Sequence, residues 1–322
     1  MMKAAVYEKY GPPEVVRVKE IPIPQPKKNE LLIRVFASTV NRTDCGFRSA
    51  EYFISRFFSG LFKPKFSVLG CEFAGVVEET GTEVTKFKKG DRVFGFNDET
   101  FGGHAEYLVI DENKALTTIP DSLSYQDAAP ITEGSHYSLE SIRAAKVKAG
   151  DKVMVYGATG AIGSAAVQIL KHMGTHVTAV VNTKNVELIK SLGVDVVIDY
   201  QTEDFTKTEG GFSFILDAVG KSSFKECRPL LTNKGIYIST ELGKNSENIW
   251  LALTTPLSGG KKVVFAIPGI NQEDVLFLKS LVESGEFKPI IERYYNLDDI
   301  VDAYKYVETG QKTGNVIIKI VS

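Results

Sequence analysis

Cysteine is scarce: three residues in 322, at Cys45, Cys71 and Cys227. So few and so scattered, they build no disulfide framework, and the expectation is a reducing, cytoplasmic setting. Long apolar runs are also missing. None approaches the roughly 20 residues of a membrane span, and the opening "MMKAAVYEKYG" lacks the apolar core of a signal peptide. Neither sign of charge dominates. With 38 basic and 40 acidic residues the net charge is −2, so neither nucleic acid nor a membrane is expected as a partner. Internal repeats and low-complexity linkers are lacking too. What remains, 43% hydrophobic and 24% charged residues over 322 positions, is an ordinary globular composition long enough for two domains.

The first third is β-rich. "KAAVYE", "LLIRVFAS", "FAGVVEE", "DRVFGF" and "HAEYLVI" are short β-branched and aromatic runs separated by turn residues. They predict an antiparallel or mixed β module. The segment "SAEYFISRFFSGLFKPKF" interrupts it with aromatic and basic residues that do not alternate. Core packing, the lip of a pocket and a partner surface all remain open for it. The middle changes rhythm. "KVMVYG", "HVTAVV", "VDVVIDY", "FSFILDAVG", "GIYIST" and "KKVVFAI" read as six strands alternating with helical connections, which predicts an α/β, doubly wound parallel sheet. Two amphipathic helices and the strand "NVIIKIV" follow. Because six strands already complete the sheet, this tail is expected to return to the first domain.

Between the first of these strands and its helix stand Gly157, Gly160 and Gly163, in "YGATGAIGSAAVQILK". A turn without side chains lets backbone N–H groups meet a pyrophosphate at a helix N-terminus, so Gly157, Ala158, Thr159, Gly160, Ala161, Ile162 and Gly163 are the candidate dinucleotide loop. The end of the second strand selects the dinucleotide. An NAD site carries an acid there; this chain has Asn182, Thr183 and Lys184. Two hydrogen-bonding side chains and a cation suit a 2′-phosphate, so NADPH is the expected cofactor.

In order, "VNRTDCGFRSAEY", "LGCEFAGVVEETGTEVTKFKKGDRVFGF", "GGHAEYLVI" and "YGATGAIGSAAVQILK" resemble the medium-chain dehydrogenase/reductase superfamily, and within it the zinc-free, zeta-crystallin-like quinone oxidoreductases. The resemblance spans nearly the whole chain. It implies a GroES-like catalytic domain over 1–124, a Rossmann NADPH-binding domain over 125–267 and a C-terminal segment over 268–322 that returns to the catalytic domain. It also implies a homodimer. Zinc-dependent members hold the metal with a Cys, the His of a G-H-E motif and a third ligand. Here the first position is Asn41, the second is Cys71 followed by Glu72, and the third falls in "PITEGSHY", where no cysteine occurs. Cys71 and Glu72 would face opposite ways on a strand. Glu133 and His136 are the nearest further donors. No metal is expected.

Without a Lewis acid, reduction of an electron-poor quinone or α,β-unsaturated carbonyl is the expected chemistry. The resemblance places the acceptor near the segment holding Asn41, Asp44, Arg48 and Tyr52. Asn41 and Tyr52 are candidate hydrogen-bond donors, Tyr52 also a proton source; Asn41 and Asp44 can equally hold a turn. Tyr200, Ala218, Val219, Ile267 and Asn315 are carried over as cofactor neighbours. A zinc alcohol dehydrogenase with unusual ligands and a non-catalytic NADPH sensor are the competing readings.

Overall fold

The computed structural model describes residues 1–51 and 56–321, with the side chain of Phe58 left aside. Tyr52 lies outside the described residues. The strands in chain order are β1 (Met2–Val6), β2 (Arg17–Ile21), β3 (Glu30–Thr39), β4 (Glu72–Thr80), β5 (Arg92–Phe96), β6 (Tyr107–Asp111) and β7 (Leu116–Thr118). Then come β8 (Lys152–Tyr156), β9 (His176–Val181), β10 (Val196–Asp199), β11 (Phe212–Asp217), β12 (Leu231–Ser239), β13 (Lys262–Val263), β14 (Ile291–Asn296) and β15 (Asn315–Lys319). The helices are α1 (Arg42–Ser49), α2 (Arg56–Ser59), α3 (Tyr125–Ala128), α4 (Glu133–Ala145), α5 (Ala161–His172), α6 (Val186–Lys190), α7 (Phe224–Cys227), α8 (Glu247–Thr254), α9 (Gln272–Glu283) and α10 (Ile300–Glu308). No helix among the described residues is long and apolar enough to cross a membrane.

The chain divides into two compact units: Met1–Glu133 with Ile270–Ser284 and Lys288 onward, and Gly134–Gly269 with Gly285–Phe287. In the first, a mixed sheet runs β14-β15-β3-β4-β5-β7, and β1 and β2 form a separate pair. Strand β3 is long enough to serve two neighbours on one edge. Its first half pairs β6 (Glu30↔Asp111 to Arg34↔Tyr107), and its last three residues pair β15 (Ile317↔Thr39), both antiparallel. Leu31, Ile33, Phe73, Phe94 and Ile317 are fully buried there. Residues 125–133, expected to open the dinucleotide domain, pack in this unit instead. Tyr125 stacks on Phe36 at 4.5 Å, and Thr132 and Glu133 bind Glu72.

The second unit is a six-stranded sheet in the order β10-β9-β8-β11-β12-β13, every pair parallel. Val153, Met154, Val155, Phe214, Ile215 and Leu216 are all fully buried, as strands covered on both faces require. The order turns back between β8 and β11, and ligands of such sheets bind at the carboxyl ends of the strands at that reversal. Helix α5 buries Ala165, Ala166, Ile169 and Leu170 on the sheet and stops before Gly174, whose φ of +73° an L-residue rarely adopts. The expected sixth strand "KKVVFAI" is curtailed to two residues. The Val263 N–H turns to the Thr255 hydroxyl at 2.9 Å, and the chain leaves the sheet edge soon after.

Candidate active site

At the end of β8 the chain turns at Gly157, φ +77°. The N–H groups of Gly157 and Ala158 both donate to the Val180 carbonyl, at 3.0 and 3.3 Å. A methyl on Gly157 would lie 2.6 Å from Val219, and one on Gly163 would lie 2.2 Å from the Gly157 carbonyl oxygen. The free chain needs glycine at both positions. Gly160 is different. Its φ is −73°, and a methyl there would meet nothing closer than the Gly157 oxygen at 3.8 Å. It is also the N-cap of α5, where no side chain bonds the helix end. The first-turn N–H groups of Ala161, Ile162 and Gly163 thus stand without a capping side chain beside a space that a Cβ would fill. This end is held firmly: Ser138 of α4 donates to the Ile162 carbonyl at 2.8 Å, and a methyl on Gly134 would lie 2.5 Å from the Ala161 carbonyl.

The neighbouring strand ends supply the other expected residues. After β9, Asn182 accepts from the Asn185 amide at 2.7 Å, Thr183 donates its hydroxyl to Asp199 at 2.5 Å, and Lys184 is exposed. Asp199 and Gln201, which accepts from the Thr183 N–H at 3.1 Å, were not signalled by the sequence pattern. The register Asp199↔Val181 brings them there. Tyr200 is exposed and stacks along Tyr156 at 6.4 Å. Beyond β11, Ala218 and Val219 ride on a turn fixed by buried Asp217, which accepts from the N–H groups of Val219 and Ser222 at 3.1 and 2.8 Å. Asp217 is a positioning residue that only the fold reveals. Beside exposed Ile267, a cavity of about 180 Å³ opens at the end of β12, lined by Tyr137, Ser141, Ile238, Thr240, Phe265 and Pro268. His136 is buried, its ring 4.2 Å from that of Tyr137. Asn315 belongs to the other unit, where it opens β15 and its amide donates to the Ile290 carbonyl at 3.0 Å.

In the first unit, Asn41 and Asp44 form a reciprocal capping box at the start of α1, the Asp44 N–H donating to Asn41 at 2.9 Å. The Asn41 amide donates to the Cys71 sulfur at 3.0 Å and to the Thr39 hydroxyl at 3.4 Å. Asp44 is fully buried and accepts from the Gly70 N–H at 3.0 Å; burial pushes its carboxyl up to about 7. The turn-holding alternative therefore describes both residues, whose polar atoms are directed inward. Arg48, offered with them as a pocket residue, is buried as well. Its guanidinium donates to the Gly11 carbonyl, pairs with Glu308 on α10 and lies 5.1 Å from the Tyr304 ring. Glu72 accepts from Thr39 at 2.5 Å through one oxygen, and from Thr132 and the Glu133 N–H at 3.0 and 2.8 Å through the other. Burial, then the Glu133 charge, pushes Glu72 up to about 8; burial pushes Glu133 up to about 7.

Residues 27–121 match the alcohol dehydrogenase GroES-like domain, and residues 192–318 match the zinc-binding dehydrogenase family. A 2-methylene-furan-3-one reductase of Solanum lycopersicum is 31% identical over 98% of this chain and 79% of its own. The chain belongs to the medium-chain dehydrogenase/reductase superfamily. Another of its relatives there, an NADPH-dependent alkenal/one oxidoreductase of Arabidopsis thaliana, is 29% identical over the same shares. The solved quinone oxidoreductase of Coxiella burnetii superposes with a TM-score of 0.87 at 26% identity, covering 99% of each chain.

As a medium-chain dehydrogenase/reductase, the protein is an oxidoreductase with a GroES-like unit and a Rossmann sheet. The superfamily's zinc does not fit the donors present here. Asn41 offers a neutral amide, and that amide donates to the Cys71 sulfur at 3.0 Å. Both Glu72 oxygens are taken. Among the described residues no group of three His, Cys, Asp or Glu side chains is placed to hold a metal ion, and three is the usual minimum.

Proposed function

We propose that the protein binds NADPH at the carboxyl ends of β8 to β12 and reduces a quinone or an α,β-unsaturated carbonyl without a metal. The observation that carries the cofactor site is Gly160. Glycine there serves neither backbone conformation nor packing in the free chain, and it leaves open the approach to the uncapped first turn of α5. The pyrophosphate sits on that turn, and Asn182, Thr183 and Lys184 take the 2′-phosphate, with Lys184 as the compensating charge. Ala218, Val219 and Ile267 border the nicotinamide end, next to the cavity lined by Tyr137 and Phe265. When bound, NADPH supplies the hydride.

Support for metal independence comes from the inward-directed bonding of Asn41, Cys71 and Glu72. Asn41 and Asp44 enter this reading as residues that hold the α1 turn rather than touch the acceptor. The acceptor class is supported by relatives named for alkenal/one and quinone reduction. We also propose a homodimer through the second unit. Strand β13 leaves an open sheet edge, and Trp250, Leu253 and Leu257 expose apolar side chains next to it.

The test is NADPH consumption with a chelator present, against quinones, enones and simple aldehydes. Turnover on quinones or enones supports the proposal. NADPH binding with no turnover returns the sensor reading, and activity abolished by the chelator overturns metal independence.

A further inference from the structure

One loop of the first unit displays apolar side chains where a globular surface ordinarily hides them. Phe57 is 69%, Leu61 42% and Phe62 90% exposed, three large apolar residues within six positions. The loop that carries them is built, not loose. The Gly60 N–H donates to the Arg56 carbonyl at 2.9 Å, and the Lys65 N–H closes back on Ser59. The Tyr10 hydroxyl reaches both buried Ser59, at 2.8 Å, and the Gly60 carbonyl, at 2.6 Å. Gly60 adopts φ +117°, and a methyl there would lie 2.1 Å from the Lys63 carbonyl. At the far end Phe66 anchors against Phe101, ring centres 5.7 Å apart.

The charge on this loop is one-sided. Arg56, Lys63 and Lys65 fall in "RFFSGLFKPK", and no Asp or Glu occurs between Glu51 and Glu72, although the chain as a whole carries −2. Lys63 and Lys65 are exposed. Phenylalanine and leucine at a tip, flanked by cations with long flexible stems, match the two layers of a bilayer interface: acyl boundary for the rings, anionic headgroups for the ammonium groups.

We propose that the tip formed by Phe57, Leu61, Phe62, Lys63 and Lys65 is a peripheral anchor for an anionic lipid surface. The net charge hides this patch because it averages the loop with an acidic remainder. The inference is independent of the reaction proposed above, since it concerns adsorption and not turnover.

The test is flotation of the full chain with vesicles of phosphatidylcholine alone and of phosphatidylcholine with roughly one-third phosphatidylglycerol. Binding is expected on the anionic vesicles and should weaken with salt. With two cations each worth roughly fivefold, zwitterionic vesicles should bind on the order of 30-fold more weakly. The Lys63→Gln/Lys65→Gln variant should lose most of that preference. The Phe62→Ser variant should lose most vesicle binding on both lipids while its melting temperature stays unchanged. No flotation of the parent chain, equal flotation on both lipids, or undiminished binding by the phenylalanine variant would each overturn the proposal.

Discussion

Alanine at Gly160 and at Gly163 should separate two reasons for keeping a glycine. At Gly163 the new methyl would stand 2.2 Å from the Gly157 carbonyl oxygen and 2.8 Å from the Ala158 Cα, backbone atoms that cannot swing aside. Alanine gains about 1 kcal/mol in helix propensity, but the forced parting of β8 and α5 costs about 1–3 kcal/mol or more. A net loss of stability is expected, with or without nucleotide. At Gly160 the nearest atom would be 3.8 Å away, and φ is already ordinary. An N-cap alanine is worse than glycine by up to about 1 kcal/mol, and the stiffer unfolded chain returns about 0.4–1 kcal/mol. Stability should therefore hold to within about 1 kcal/mol. Binding should not. A methyl in the open space displaces the pyrophosphate from one or two charge-assisted contacts of about 1.5–3 kcal/mol each. That corresponds to NADPH binding weaker by roughly one to four decades. Urea denaturation without nucleotide and calorimetric titration with NADPH measure the two quantities. A Gly160→Ala protein that binds NADPH like the parent would refute the placement of the pyrophosphate.

Lys184→Ala should weaken NADPH by about one to two decades while NADH changes little; equal losses in titration would remove the 2′-phosphate assignment. Glu72 is raised to about 8, so from about pH 4.5 to 8 the folded chain holds a proton that the unfolded carboxyl has lost. Its contribution to stability is complete below that window and is lost as pH rises through it, with a slope approaching ~1.4 kcal/mol per pH unit. Glu72→Gln should flatten the pH dependence seen in urea titrations, and parallel profiles would show that the proton resides elsewhere. Glu308→Ala strands the buried Arg48 guanidinium and should destabilise by about 2–3 kcal/mol, less than for a fully buried pair because Glu308 is partly exposed. An unchanged melting temperature would mean that the pair does not fasten α10.

Sequence periodicity carries the parallel sheet because its strands are buried on both faces and read as unbroken apolar runs. The strand–turn–helix arrangement around Gly157 to Gly163 is equally legible, since β8 and α5 are adjacent to it in sequence. Side chains whose roles depend on distant partners are not. Arg48 looks like a surface or pocket cation until Glu308, 260 residues away, is brought beside it. Asp199 reads as an ordinary strand-end acid until the register of β10 on β9 brings it to Thr183. Residues 125–133 contain no local signal for their unit; Phe36 and Glu72 recruit them.

The pairing of Ile317 with Thr39 has a consequence for synthesis. The Rossmann sheet is nearly contiguous in sequence and can close while the ribosome is still at work. The first unit cannot, because Ala37–Thr39 of β3 wait for a partner translated some 280 residues later. Until β15 emerges, that stretch of β3 is an open strand edge on a nascent chain, the kind of surface chaperones hold and aggregates recruit. A circular permutant that places residues 288–321 ahead of Met1 would deliver β15 before β3, and should fold with less chaperone help than the natural order.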